Sequence, residues 1–68
     1  VGMLTRRGLA RKLRALRESL YLSQTEFGAR LEVGRVTVCR WESGVQEPGL
    51  EARRKLMDQF GADVLQDP

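Results

Sequence analysis

Arg35, Val36, Cys39 and Arg40 stand at i, i+1, i+4 and i+5. In a helix that spacing gathers them on one side, with two guanidinium groups among them. An arginine presents a fork of N–H donors that matches a carboxylate, a phosphate or the O6 and N7 edge of guanine. A valine offers only apolar contact, for example to a thymine methyl. Val33, Val38 and Trp41 fall on the opposite side. Such a helix has one face to anchor in a core and one face free to hydrogen-bond.

Other chemistries have few candidates. The chain has no histidine and one cysteine, Cys39. No disulfide can form within it and no Cys/His zinc cluster can be built. It shows no nucleophile–base pair and no glycine-rich phosphate loop, so the sequence is not read as an enzyme, and no cofactor or metal is expected. Cys39 itself is open to two readings, a redox-sensitive thiol or an inert small filler. At 68 residues the chain holds one domain with a thin stability margin and no deep pocket. No stretch is long and apolar enough to span a membrane. The N-terminal region is too charged for the apolar core of a secretory signal, so a cytoplasmic location is expected.

Charge is uneven. The net charge is +3. Residues 1–17 carry Arg6, Arg7, Arg11, Lys12, Arg14 and Arg17 and no acid, while the remainder is net negative. A basic first segment suits a polyanion partner, although a solvated helix face would look the same.

These side chains need elements to hold them. Leu9, Leu13, Leu16 and Leu20 are spaced four, three and four apart, which predicts an amphipathic helix from about Leu9 to Leu20. Ser23-Gln24-Thr25-Glu26 is a capping box, with Leu22 and Phe27 as its hydrophobic staple, so a second helix starts at about Gln24. Phe27 and Leu31 share a face. Gly28 lies beside it, where a glycine points to close approach of another backbone. Leu31-Glu32-Val33-Gly34 reads as a short turn. A third helix runs from about Arg35 to Ser43, and Gly44 suits the left-handed position that ends it. Val45-Gln46-Glu47-Pro48-Gly49 is a loop. A fourth helix spans about Leu50 to Phe60, with Ala52, Leu56 and Phe60 as its stripe and Gly61 as its stop.

Residues 23–44 thus pair a short capped helix with a second across a tight turn, which is the helix-turn-helix arrangement. A helix has the width to enter the major groove of DNA, where each base pair presents its own donor and acceptor pattern. Trp41 could be taken for a stacking aromatic, but its spacing from Val38 assigns it to the core. Arg35 and Arg40 could instead be surface arginines paired with Glu32 or Glu42.

The run Ser23-Gln24-Thr25-Glu26-Phe27-Gly28-Ala29-Arg30-Leu31, then Val33, then Thr37-Val38-Cys39-Arg40-Trp41-Glu42-Ser43-Gly44, resembles the phage Cro and repressor family, also called XRE-like. The ending Trp41-Glu42-Ser43-Gly44-Val45-Gln46-Glu47-Pro48 and the pair Arg17-Glu18 late in the first helix belong to the same pattern. The resemblance runs from about Leu9 to Gly61. It implies an all-α, four- to five-helix, lambda-repressor-like DNA-binding domain of bacterial or phage origin, and a transcriptional regulator, most simply a repressor. It places Arg35, Val36 and Arg40 on base edges. It places Gln24, with Thr25, on backbone phosphates, and the hydroxyls of Thr37 and Ser43 could serve phosphates too. It assigns Arg17 and Glu42 to a structural ion pair between the first and third helices.

There are departures from the family pattern. Tyr21 stands where glycine is common, and such a glycine often supplies a positive φ that tyrosine adopts only with strain. Glu32 replaces the usual glycine of the turn, Gly34 replaces the usual Ser or Thr cap, and Arg53 occupies a normally apolar position.

The expected layout is a basic N-terminal arm over 1–8, partly disordered, a domain over 9–61 and a short tail over 62–68. The expected partner is double-stranded DNA with a palindromic operator, bound by a homodimer whose subunits read half-sites about 34–36 Å apart. Leu50, Met57, Val64 and Leu65 are available for its dimer surface. The alternative is an antitoxin-like or other protein-interaction module of the same fold, which a large apolar patch on the third helix would favour.

Overall fold

The computed structural model describes residues 5–61. Four helices follow one another, α1 (Arg6–Ser19), α2 (Gln24–Arg30), α3 (Arg35–Glu42) and α4 (Leu50–Phe60). There is no strand among the described residues. This is the all-α, lambda-repressor-like arrangement that the sequence predicts. Its expected C-terminal tail lies outside the described residues, as do Val64 and Leu65.

The first helix differs from expectation at both ends. It begins at Arg6 rather than about Leu9, because the Thr5 side chain accepts from the Gly8 N–H at 3.0 Å and caps the first turn. Arg6, Arg7 and Gly8 are therefore helical rather than part of an arm. It ends at Ser19, and Leu20 is its cap. Leu20 was expected on the inner face but is 39% exposed, since the chain leaves the helix there.

Leu9 and Leu13 of α1, Phe27 of α2, Leu31 at its end, Val38 and Trp41 of α3 and Leu56 of α4 form one buried cluster. Leu16, Leu22, Val33, Ala52 and Phe60 pack against it. The rings of Phe27 and Phe60 stack with centroids 5.5 Å apart, tying α4 to α2. Arg53, at its normally apolar position, has a different use. Its Nε donates to the Pro48 carbonyl at 3.0 Å and its Nη2 lies 3.4 Å from Glu47 Oε1, which fixes the loop before α4.

Gly28 shows why α2 tolerates a glycine. A Cβ there would lie 2.6 Å from the Val33 carbonyl oxygen and 3.2 Å from Val38 Cγ2. The Val33 N–H donates to the Gly28 carbonyl at 2.8 Å, so the turn folds back directly onto the helix.

The first three helices end in the same way. The paired bonds are Leu22 to Arg17 with Tyr21 to Glu18, Val33 to Gly28 with Glu32 to Ala29, and Val45 to Arg40 with Gly44 to Trp41, each from N–H to carbonyl. This is the Schellman pattern, which requires a left-handed residue just past the helix. Those residues are Tyr21 (φ 57°), Glu32 (φ 59°) and Gly44 (φ 79°). Only the last is a glycine. A side chain in this region costs about 1–2 kcal/mol. Glycine gives back about 0.5–1 kcal/mol of that through its freer unfolded chain. Tyr21 is 94% exposed and gains little from packing. Tyr21→Gly and Glu32→Gly should each raise stability by about 0.5–1 kcal/mol in urea denaturation. A loss on either substitution would mean that the left-handed residue is held by contacts that outweigh its strain.

The start of α2 makes a second measurable claim. The Ser23 Oγ accepts from the Glu26 N–H at 3.0 Å and the Glu26 carboxylate accepts from the Ser23 N–H at 2.9 Å. The Ser23 backbone bond, with its hydroxyl second, holds the Glu26 carboxyl below the usual carboxylate range. A folded value below the unfolded one stabilises at pH above the unfolded value and is lost as pH falls through the folded value. Wild type should therefore exceed Glu26→Gln in melting temperature near neutral pH, and the gap should close in acid. A gap independent of pH would remove the charge from the explanation.

Candidate nucleic-acid interface

The two faces of α3 are sharply divided. Val38 and Trp41 are buried, with Trp41 only 3% exposed, so its ring belongs to the core. Arg35, Val36, Cys39 and Arg40 are exposed on the other side, Val36 by 55%. Thr37 is half-buried between them. Gly34 begins the helix with no side-chain cap, so no N-cap side chain satisfies its first N–H groups.

Whether Arg35 and Arg40 are occupied by acids is answered by the acids. Glu32 lies 3.3 Å from Lys55, and Glu42 is bound to Arg17. Among the described residues neither Arg35 nor Arg40 has an acidic partner.

Arg17 and Glu42 meet across 25 residues of chain. Arg17 Nε donates to Glu42 Oε2 at 2.7 Å and Nη2 donates to Oε1 at 3.0 Å. Arg17 Nη1 donates to the Leu22 carbonyl at 3.0 Å. The side chains are 14% and 6% exposed. The hydrogen bond to Glu42 pushes the Arg17 guanidinium above its ordinary value, against the opposing effect of burial. Gln24 joins the group, its Nε2 donating to Glu42 Oε1 at 3.3 Å.

The other polar positions lie around this pair. Ser43 is exposed and its hydroxyl donates to the Arg40 carbonyl at 3.1 Å, which leaves its oxygen able to accept. Thr25 is exposed on the first turn of α2. An open surface concavity is lined by Arg14, Arg17, Gln24, Cys39, Glu42 and Ser43. It brings Gln24 and Ser43 together, while Thr25 and Thr37 are not part of its lining. Arg14 is the member that sequence reasoning did not single out, because nothing local distinguishes it from the other basic residues of the first helix.

Removing one partner of the ion pair should expose its structural weight. Glu42→Ala leaves a mostly buried guanidinium with one carbonyl acceptor, and the loss of a buried partner costs about 3 kcal/mol. That is a large part of the stability of a domain of this size. Far-ultraviolet circular dichroism in urea measures it. A cost below about 1 kcal/mol would class the pair with exposed ones.

A family model described as a helix-turn-helix domain matches residues 8–67. No curated protein and no solved structure matches the chain. No helix among the described residues is long and apolar enough to cross a membrane. With two short helices joined by a turn on a fold anchored through α1, and a family match over most of its length, the chain belongs to the helix-turn-helix domain family.

Proposed function

We propose that this chain is a sequence-specific double-stranded DNA-binding protein that regulates transcription, most simply by repression. α3 enters the major groove, with Arg35 and Arg40 donating to base edges and Val36 making apolar contact. Gln24, Thr25, Thr37 and Ser43 hold backbone phosphates and set the register. The observation that carries this reading is the pair of arginines, without acidic partners among the described residues, on the outer face of a helix whose inner face is locked in the core. The outer face is not a large apolar patch, which weighs against a protein-interaction module.

One module of this size buries little surface on DNA, and phosphate contacts alone bind weakly. A homodimer on a palindromic operator answers that shortfall. Leu50 and Met57, exposed by 67% and 45% on α4, support a dimer surface there.

Random-site selection on duplex DNA at two salt concentrations tests the reading. A short palindrome should emerge. Arg35→Ala should weaken binding to it by about 1–3 kcal/mol and relax one base position. Weak, sequence-blind binding that salt abolishes would leave only electrostatic attraction and remove the regulator.

A further inference from the structure

We propose that Arg14 is a ligand for a DNA backbone phosphate, set by α1 at the concavity it shares with Gln24, Cys39 and Ser43. The assignment rests on the DNA-binding reading above and extends it to a helix outside the helix-turn-helix.

Six basic side chains fall within the first 17 residues. Of those, Arg14 and Arg17 line the concavity. Arg17 is already engaged through Nε, Nη1 and Nη2 with Glu42 and the Leu22 carbonyl. Its charge also offsets that of Glu42. The sign of the concavity therefore depends on Arg14.

Arg14 is held only lightly. Its Nε donates to Glu18 Oε2 at 3.3 Å, with the two side chains 64% and 57% exposed. An exposed i,i+4 pair of this kind is weak and exchanges readily. Its Nη1 and Nη2 groups have no partner among the described residues. They form a fork suited to two oxygens of one phosphate.

The position also fits the geometry of the reading helix. Cys39 and the C-capping Ser43 carry the outer side of α3 into the concavity. A duplex whose bases meet Arg35 and Arg40 brings its backbone past the flank of α3. There Arg14 and the remaining amide hydrogen of Gln24 converge, while the Ser43 hydroxyl can turn from the Arg40 carbonyl to a phosphate oxygen.

The test is the salt dependence of duplex binding, read by fluorescence anisotropy on the selected palindrome and on a mixed-sequence duplex. Wild type, Arg14→Ala, Arg14→Lys and Arg54→Ala are compared, with circular dichroism confirming that each is folded. Arg54 is the control, since it lines a separate concavity with Lys55, Met57 and Asp58. Arg14→Ala should weaken binding to both duplexes by the same factor per bound subunit and reduce the magnitude of the slope of log affinity against log salt by about 0.9 per subunit, about 1.8 for a dimer on the palindrome. Arg14→Lys should keep the slope, and Arg54→Ala should leave it unchanged. If wild type binds and Arg14→Ala keeps its slope, or Arg54→Ala loses as much, the assignment of Arg14 falls alone. If wild type binds neither duplex, the DNA-binding reading falls and takes this assignment with it.

Discussion

The guanidinium of Arg17 holds three parts of the chain at once. It rises from the last turn of α1, binds the Glu42 carboxylate at the end of α3, and donates to the Leu22 carbonyl in the turn before α2. The Glu42 carboxylate in turn accepts from Gln24 on α2. The relative placement of α1, α2 and α3 therefore passes through one small group of atoms. Apolar packing supplies most of the burial energy, but it is non-directional. A two-bonded carboxylate–guanidinium contact fixes angle as well as distance. The outward set of α3 rests on that contact together with the burial of Val38 and Trp41.

Much of the fold was legible because its signals are local. Ser23 and Glu26 announce α2 within four residues, and Gly44 and Gly61 close the helices before them. The spacing of Leu9, Leu13, Val38, Trp41 and Leu56 identified core faces correctly. The start of α1 was not legible. Thr5 caps it without the acid that would complete a capping box, since Gly8 stands at that place. Leu20 departs from the leucine face for a different reason. Periodicity tells which face a residue would occupy, but not whether the helix still continues there.

The candidate site divides along the same line. The outer set on α3 follows from spacing alone. Which arginine meets which acid does not. Glu42 is two residues from Arg40 in sequence, yet it lies four beyond Val38, on the anchored side, and faces Arg17 instead. Arg53 was unreadable as a loop fastener, because its acceptor is a backbone carbonyl that only the fold brings near. The grouping of Arg14 with Gln24 and Ser43 likewise depends on three helices meeting.

The division of α3 into a locked face and an idle one has an evolutionary meaning. Val38, Trp41 and Glu42 are bound by neighbours that must change with them, so substitutions there are filtered by folding. Arg35, Val36 and Arg40 are exposed, and surface positions away from such features tolerate exchange within about 0.5 kcal/mol. Mutation can therefore explore those three positions while the scaffold stays intact. Duplicated copies of such a chain could drift apart in the surface they present long before they drift apart in shape.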